Sequence, residues 1–346
     1  MFGSKDIGID LGTANILVFE KDKGVVFSEP SVAALDKKSQ KILAIGHEAR
    51  ELVGRSPENM TTVRPLKEGV IAKYTITQKL LSMIIEKVCG RSLFFKPRVM
   101  VCVPVGITSV EKRAVLEAAM HGGASKTYLI EEPMAAALGA GVDIGLPRGN
   151  MVVDIGGGST DIAILSLGGI VVDNSTRIGG DHFDQAIASY VKHSQGVSIG
   201  ERTAEEIKIK VATVSESGRN DSIEVRGHDN VSGLPRTITV TSDQCREALK
   251  DSVQTLLNAV RQVLEKCPPE LSADIVDNGI FLTGGGALLD GLATVLHEET
   301  KIDMHIATDP LNCVAIGTGM ALKYLDYLHN GEVFTYANIA SNTTKK

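Results

Sequence analysis

Three short apolar runs open the chain: Ile7-Gly8-Ile9-Asp10-Leu11, Ile16-Leu17-Val18-Phe19 and Gly24 to Ser28. Two β-rich runs joined by a short Gly-containing loop predict a hairpin, and the third run continues it as a meander. The same sequence of features returns at Met151 to Ile155, Asp161 to Leu165 and Gly169 to Val172. In both places an apolar strand reaches an Asp, a Gly-rich turn carries a hydroxyl residue, and two further strands follow. Asp154 trails Asp10 by close to half the chain, so the pattern predicts an internal duplication with one large period.

Helical patterns fill the intervals. Ile76 to Val88 is amphipathic, and Thr108-Ser109-Val110-Glu111 is a capping-box signature opening a helix towards Gly122-Gly123. Ser242-Asp243 is placed to cap a helix over Gln244 to Lys266, stopped by Pro268-Pro269. Strands are predicted at Arg98 to Val103 and Gly279 to Thr283, in matching places after the helical regions. Strands alternating with helices give an α/β class with mixed or parallel sheets. Less regular stretches, Val32 to Leu66 and Asp184 to Thr241, read as small insertions built on the two cores.

Composition narrows the functional classes. The 346 residues suggest about two domains. A 43% hydrophobic and 23% charged balance is that of a globular chain rather than a disordered one. A net charge of −6 argues against a broadly basic nucleic-acid binder. Five cysteines, far apart and with no C-x-x-C pair, support neither a disulfide framework nor a zinc site and predict buried reduced thiols. The eight histidines show no ligand spacing. The N-terminus lacks the form of a signal peptide, and no run of about 18 apolar residues is present, which predicts a soluble cytosolic protein. Gly, at 35 residues, is in surplus, and its clusters carry the candidate chemistry.

Asp10-Leu11-Gly12-Thr13 and Asp154-Ile155-Gly156-Gly157-Gly158-Ser159 share one physical logic. A turn without Cβ atoms lets backbone N–H groups approach a phosphate, and Thr, Ser or Asn side chains add hydrogen bonds. An Asp at the strand end suits hydrated Mg²⁺, which keeps several waters and bridges to phosphates. Two such hairpins face to face would grip a triphosphate from both sides. Thr283-Gly284-Gly285-Gly286-Ala287 follows an apolar strand and precedes a helix, an arrangement that lets a purine and ribose lie against backbone, or forms a plain turn. The P-loop pattern G-x-x-x-x-G-K-[ST] is absent. Glu131-Glu132-Pro133 opens a small-residue helix, Met134 to Gly141. Its carboxylates suit either polarising a water that attacks a γ-phosphate or favouring a helix N-terminus. The charges of Gly200 to Lys208 read either as a solvated helix face or as a ribose contact.

The order of these motifs resembles the actin/Hsp70/sugar-kinase ATPase superfamily. D-L-G-T-A-N, E-E-P-M-A-A-A-L-G-A-G, V-V-D-I-G-G-G-S-T-D, I-G-G-D-x-F-D, G-E-R-T-A-E-E-I-K and T-G-G-G-A-L-L are similar, more narrowly, to the MreB/Mbl family of bacterial actins, from about Asp6 to Tyr324. The resemblance implies an actin-like fold of two duplicated RNase H-like domains, each with a small inserted subdomain. The implied division is 1–31, 67–144 and 320–346 for IA, 32–66 for IB, 145–183 and 242–319 for IIA, and 184–241 for IIB. It implies Mg²⁺-dependent ATP binding and slow hydrolysis, with ADP as product. By the same resemblance Gly12, Thr13, Ala14 and Asn15 form the first phosphate loop and Gly156, Gly157 and Gly158 the second. Gly180 and Asp181 belong to the nucleotide set. Gly284, Gly285, Gly286 and Ala287 form the adenosine loop, and Glu205 and Glu206 lie where the family touches ribose or adenine. Asp10 and Asp154 match the Mg²⁺-side carboxylates, and Glu132 the water-activating glutamate. The family usually carries Thr where this chain has Ser159. That loses the methyl restricting χ1 and predicts retained but modest hydrolysis.

The resemblance also implies assembly with further copies into double protofilaments on the inner face of the cytoplasmic membrane. It implies contacts with anionic lipid, a RodZ-type anchor protein as a candidate partner, a role in cell shape, and no nucleic acid. Leu93, Phe94 and Phe95 sit where the family has a membrane-inserting loop, with the start of a core strand as the alternative reading. Burying three such side chains gives roughly 5–8 kcal/mol before entropy. Arg91 and Lys96 add about 1 kcal/mol each with anionic lipid. A single copy would therefore bind weakly and a filament strongly through avidity. The polar tail from Asn330 to Lys346 is expected to be mobile. A small-molecule kinase of the same superfold is the alternative function, although no catalytic Asp over a substrate pocket stands out.

Overall fold

The computed structural model describes residues 5–67, 69–90 and 96–343. The predicted Leu93, Phe94 and Phe95 site, Arg91, and the terminal Lys345-Lys346 lie outside them. In chain order the strands are β1 (Asp6–Leu11), β2 (Asn15–Glu20), β3 (Gly24–Pro30), β4 (Ala33–Asp36), β5 (Ile42–Ile45), β6 (Met60–Val63), β7 (Leu66–Lys67), β8 (Val70–Ile71), β9 (Arg98–Val103) and β10 (Lys126–Glu131) in the first half. The second half holds β11 (Asn150–Ile155), β12 (Thr160–Ser166), β13 (Gly169–Thr176), β14 (Val197–Ser198), β15 (Ser222–Asp229), β16 (Pro235–Thr241), β17 (Ile280–Thr283) and β18 (Met304–Ile306). The helices are α1 (Gly46–Glu51), α2 (Tyr74–Cys89), α3 (Ser109–His121), α4 (Glu132–Gly139), α5 (Gly180–Gln195), α6 (Glu201–Lys210), α7 (Ser242–Glu265), α8 (Pro269–Asn278), α9 (Leu292–Thr300), α10 (Cys313–Ala321) and α11 (Tyr336–Thr343).

The duplication is explicit in the sheets. The first runs β10-β9-β1-β2-β3 and the second β18-β17-β11-β12-β13. In each, a three-stranded antiparallel meander is extended by two parallel strands. Alternation along each strand sends side chains to two cores. Val99, Val101 and Val103 join Ile7 and Ile9 under α2 and α3, while Met100 and Cys102 point the other way. Met151, Val153 and Ile155 face a core shared with α5 and α7, while Val152 faces inward. Sheets covered on both faces explain the continuous apolar runs.

Between the sheets lie α4 and α10, packed on one another. Helix α10, late in the chain, contacts β1, β2, β3 and β9 of the first sheet, whereas α4 contacts β9 and β10 of the first sheet and β11 and β12 of the second. The predicted small residues, Ala135 to Ala137, make this close approach possible, and each is fully buried. Both insertions form three-stranded sheets, β5-β4-β6 and β14-β15-β16. Helix α5 runs unbroken across the expected boundary at Asp184.

Three sequence expectations are corrected. The cap of α7 is Thr241, whose Oγ1 accepts from Gln244 N at 3.3 Å while the Gln244 side chain accepts from Thr241 N at 3.0 Å. Ser242 is buried, and its hydroxyl donates to the Val211 carbonyl at 2.7 Å. The five cysteines are free thiols, but only Cys102, Cys245 and Cys313 are buried; Cys89 and Cys267 are half-buried, one at the last residue of α2 and the other just past α7. The tail is anchored rather than loose as far as residue 343. Gly331 N donates to Thr127 O at 2.8 Å and Phe334 N to Leu129 O at 2.7 Å, which adds a parallel bridge to the edge of β10. Phe334 is buried in a ring cluster with Tyr324 and Tyr336, and Tyr336 N donates to Gly168 O in the second half.

Candidate functional site

A cleft of about 400 Å³ opens between the halves. The first hairpin turn brings Gly12, Thr13, Ala14 and Asn15 to one wall, and the second brings Gly156, Gly157, Gly158 and Ser159 to the other. The turns approach closely enough that a Cβ at Gly157 would stand 2.6 Å from the Ala14 Cβ. The N-terminus of α5 docks on the second turn, with Gly180 N donating to Gly156 O at 3.0 Å and Asp181 N to Gly157 O at 2.8 Å. Gly284 adopts φ +76°, a left-handed conformation that favours glycine, and lets the third cluster lie against Ile155 and the Asp154 carboxylate. Thr13 Oγ1 accepts from Gly69 N at 3.1 Å, which ties the first turn to the loop beneath it.

Carboxylates gather on the cleft floor. Burial raises the Asp10 carboxyl to about 7, and the nearby Asp154 charge adds to the shift. Burial raises Asp154 to about 7 as well, against the pull of Thr283, whose hydroxyl donates to Asp154 Oδ1 at 2.8 Å. Glu132, at the start of α4, is held well above the usual carboxylate range by burial and then by Asp161, Asp154 and Asp10. Asp161 accepts from Val105 N across the halves at 3.1 Å. Packed carboxylates without a cation favour protonation. The same crowding suits Mg²⁺, which takes one or two carboxylates and fills its other positions with water and phosphate. Among the described residues no group of three or more His, Cys, Asp or Glu side chains is arranged as a metal cage.

The structure therefore brings together Asp10, Gly12, Thr13, Ala14, Asn15, Glu132, Asp154, Gly156, Gly157, Gly158, Ser159, Gly180, Asp181, Glu205, Gly284, Gly285 and Gly286. Two members of the expected set lie apart from the lining. Glu206 points away on the exposed side of α6 and pairs with Lys210 at 2.7 Å, because consecutive helical positions diverge by about 100°. Ala287 is buried in the core of the second half. Several lining residues were not anticipated. Lys208 sits three positions beyond Glu205 on the same face of α6, and its Nζ reaches Asp184 Oδ1 at 2.9 Å and the Gly180 carbonyl at 3.0 Å. That i,i+3 spacing was the available signal. Ile209, Leu288 and Leu311 line the cleft although more than half exposed. Exposed apolar walls of this kind suit a flat ring.

Two copies of one sheet, facing each other across a cleft walled by paired glycine hairpins, define an actin-like nucleotide-binding fold. Residues 4–330 match the family described as MreB/Mbl protein. The chain belongs to that family. It is 55% identical over 325 residues to the cell shape-determining protein Mbl of Bacillus subtilis (strain 168), an alignment covering 94% of this chain and 98% of that protein. It is 47% identical over 337 residues to the cell shape-determining protein MreB of Escherichia coli (strain K12), covering 96% and 97%. Among solved structures it is similar to MreB 5 of Spiroplasma citri bound to AMPPNP, with a TM-score of 0.89, 36% identity and coverage of 93% and 97%. The MamK double helical filament, at a TM-score of 0.79 and 21% identity over 93% and 99% of the two chains, shares the fold. Among the described residues no helix is long and apolar enough to cross a membrane.

Proposed function

We propose that this chain is a cytoskeletal ATPase that binds ATP with Mg²⁺ and polymerises on the inner face of the cytoplasmic membrane, where its filaments govern cell shape. The observation that carries this reading is the pair of opposed glycine turns above the Asp10, Asp154 and Glu132 carboxylates. It is supported by the S. citri relatives, one bound to AMPPNP and another to ADP, and by relatives named for determining cell shape. Backbone N–H groups of Gly12 to Asn15 and Gly156 to Gly158 hold the phosphates. Glu205 faces the ribose, and Gly284, Gly285 and Gly286 lie under the adenosine. Asp10 and Asp154 are the carboxylates that would hold Mg²⁺, which when bound neutralises charge on the phosphate oxygens.

Glu132 orients the attacking water and takes up its proton. Burial, and after it the charges of Asp161, Asp154 and Asp10, raises its proton affinity, which makes the ionised form a stronger acceptor. Ser159, which lines the cleft with Glu132 and shares Asp161 with it as a hydrogen-bond partner, offers its hydroxyl to the same water without the methyl that would fix its rotamer. Leu93, Phe94 and Phe95, with Arg91 and Lys96, attach the polymer to anionic lipid, with a RodZ-type protein as a further anchor.

Light scattering and electron microscopy of the purified chain with ATP and Mg²⁺ test the reading. Filaments that appear with ATP and turn over with phosphate release are expected. A protein that stays monomeric and transfers phosphate from ATP to a sugar would overturn it.

A further inference from the structure

Above the nucleotide cleft lies a smaller polar chamber lined by Ala14, Asn15, Arg50, Arg64, Asp181 and Glu205, among others. Ala14, Asn15, Asp181 and Glu205 line the large cleft as well, so the two spaces share a boundary. Arg50 comes from α1 and Arg64 from the loop after β6, both in or beside the inserted sheet of the first half. Their partners belong to the second half. Arg50 Nη2 pairs with Glu205 Oε2, and Arg64 Nη2 pairs with Glu201 Oε1. A second Arg64 nitrogen stands 3.7 Å from Asp181 Oδ2. The two arginines thus reach over the opening to the first turn of α5 and the first two turns of α6.

We propose that Arg50 and Arg64 are positioning residues that latch the mouth of the cleft and set the rate at which nucleotide leaves. This rests on the reading of the cleft as a nucleotide site. Arg50 holds one oxygen of Glu205 and so fixes the carboxylate that faces the ribose. Arg64 acts farther out, on Glu201, which belongs to the chamber and not to the cleft lining. A nucleotide leaving between α6 and the inserted sheet has to wait for both pairs to open. Arg64 and Glu201 keep 32% and 46% of their exposure, so salt reaches this pair. The latch is therefore a contact whose strength depends on ionic conditions, placed over a site whose walls are mostly backbone.

The test is the dissociation rate of a fluorescent ATP analogue from the full chain, chased with excess ATP. Arg64→Ala and Glu201→Ala should each speed release by about two- to fivefold, and the double variant should be no faster than Arg64→Ala alone. Arg64→Lys should restore part of the slow release. Release from the wild type should accelerate as salt rises, and both alanine variants should show a weaker dependence, carried by the remaining Arg50–Glu205 pair, which a general loss of stability would not produce. Additive effects, or rates unchanged from wild type with nucleotide still bound, would overturn the latch while leaving the cleft reading intact. A wild-type chain that binds no nucleotide at all would overturn both. Far-UV circular dichroism of each variant separates misfolding from faster release, and Arg50→Lys supplies a second, conservative probe should an alanine variant fail to fold.

Discussion

Gly317 in α10 meets Ala135 in α4 backbone to backbone: a Cβ at position 317 would run into the Ala135 carbonyl, and would stand 2.8 Å from the Gly139 amide nitrogen. The two helices come from opposite halves, so this contact fixes how the halves sit together. Gly317→Ala should cost about 1–3 kcal/mol by forcing the crossing apart. Urea unfolding of the full chain measures it. An unchanged midpoint would mean that the crossing is looser than the structure indicates.

Hydrolysis should separate the two residues over the attacking water. Glu132→Gln removes the proton acceptor and should slow phosphate release by about 10²–10⁴-fold while ATP still binds. Ser159→Thr supplies the χ1-restricting methyl and should speed release several-fold. Equal rates for wild type and Glu132→Gln would remove Glu132 from the chemistry.

Protonation should report occupancy of the cleft floor. Asp10 and Asp154 are both raised to about 7 in the nucleotide-free chain. The folded state therefore holds more protons than the unfolded one between about pH 4 and 7, and stability should fall as pH rises through that window. Mg-ATP favours the ionised carboxylates, so binding near pH 6.5 should release protons. Calorimetry in buffers of different ionisation enthalpy reads this directly; buffer-independent heats would contradict the assignment.

The tail gives a prediction outside the span that matches the family. Phe334 is fully enclosed by Tyr324, Tyr336 and the first-sheet edge, four residues beyond position 330. Phe334→Ala should destabilise the fold by about 3–5 kcal/mol. Differential scanning calorimetry should show a large fall in Tm. A small shift would place the tail outside the cooperative unit.

The proposed membrane attachment turns on Leu93 and Phe94. Leu93→Ser/Phe94→Ser should abolish co-sedimentation of filaments with vesicles containing anionic lipid and leave polymerisation in solution unchanged. Undiminished pelleting would assign those side chains to the core.

Repetition made the fold legible. Each glycine turn alone is a weak signal, but Asp10 to Asn15 and Asp154 to Ser159 occupy equivalent hairpins, and strand pattern around a turn depends on local chemistry. Sites made by distant segments were harder to read. Lys208 became a lining residue only once α5 and α6 were placed side by side, and Arg50 and Arg64 found partners more than a hundred residues away. Glu205 and Glu206 were indistinguishable by composition; the helical turn separates them. The tail looked polar and loose because its fixing bonds are backbone bonds to β10, and no residue pattern records those.

The exchange of α10 onto the first sheet bears on how the chain is made. β10 is finished at Glu131 and α4 follows at once against β9 and β10, but the helix covering β1 and β2 begins at Cys313, and the segment closing the sheet's edge reaches Phe334. At translation speeds of about 5–20 residues per second, the first half waits roughly 10–40 s with part of its apolar surface uncovered. The first half therefore cannot complete its folding until residues 313–334 have been made, and that late segment acts as the closing stitch for the part made first.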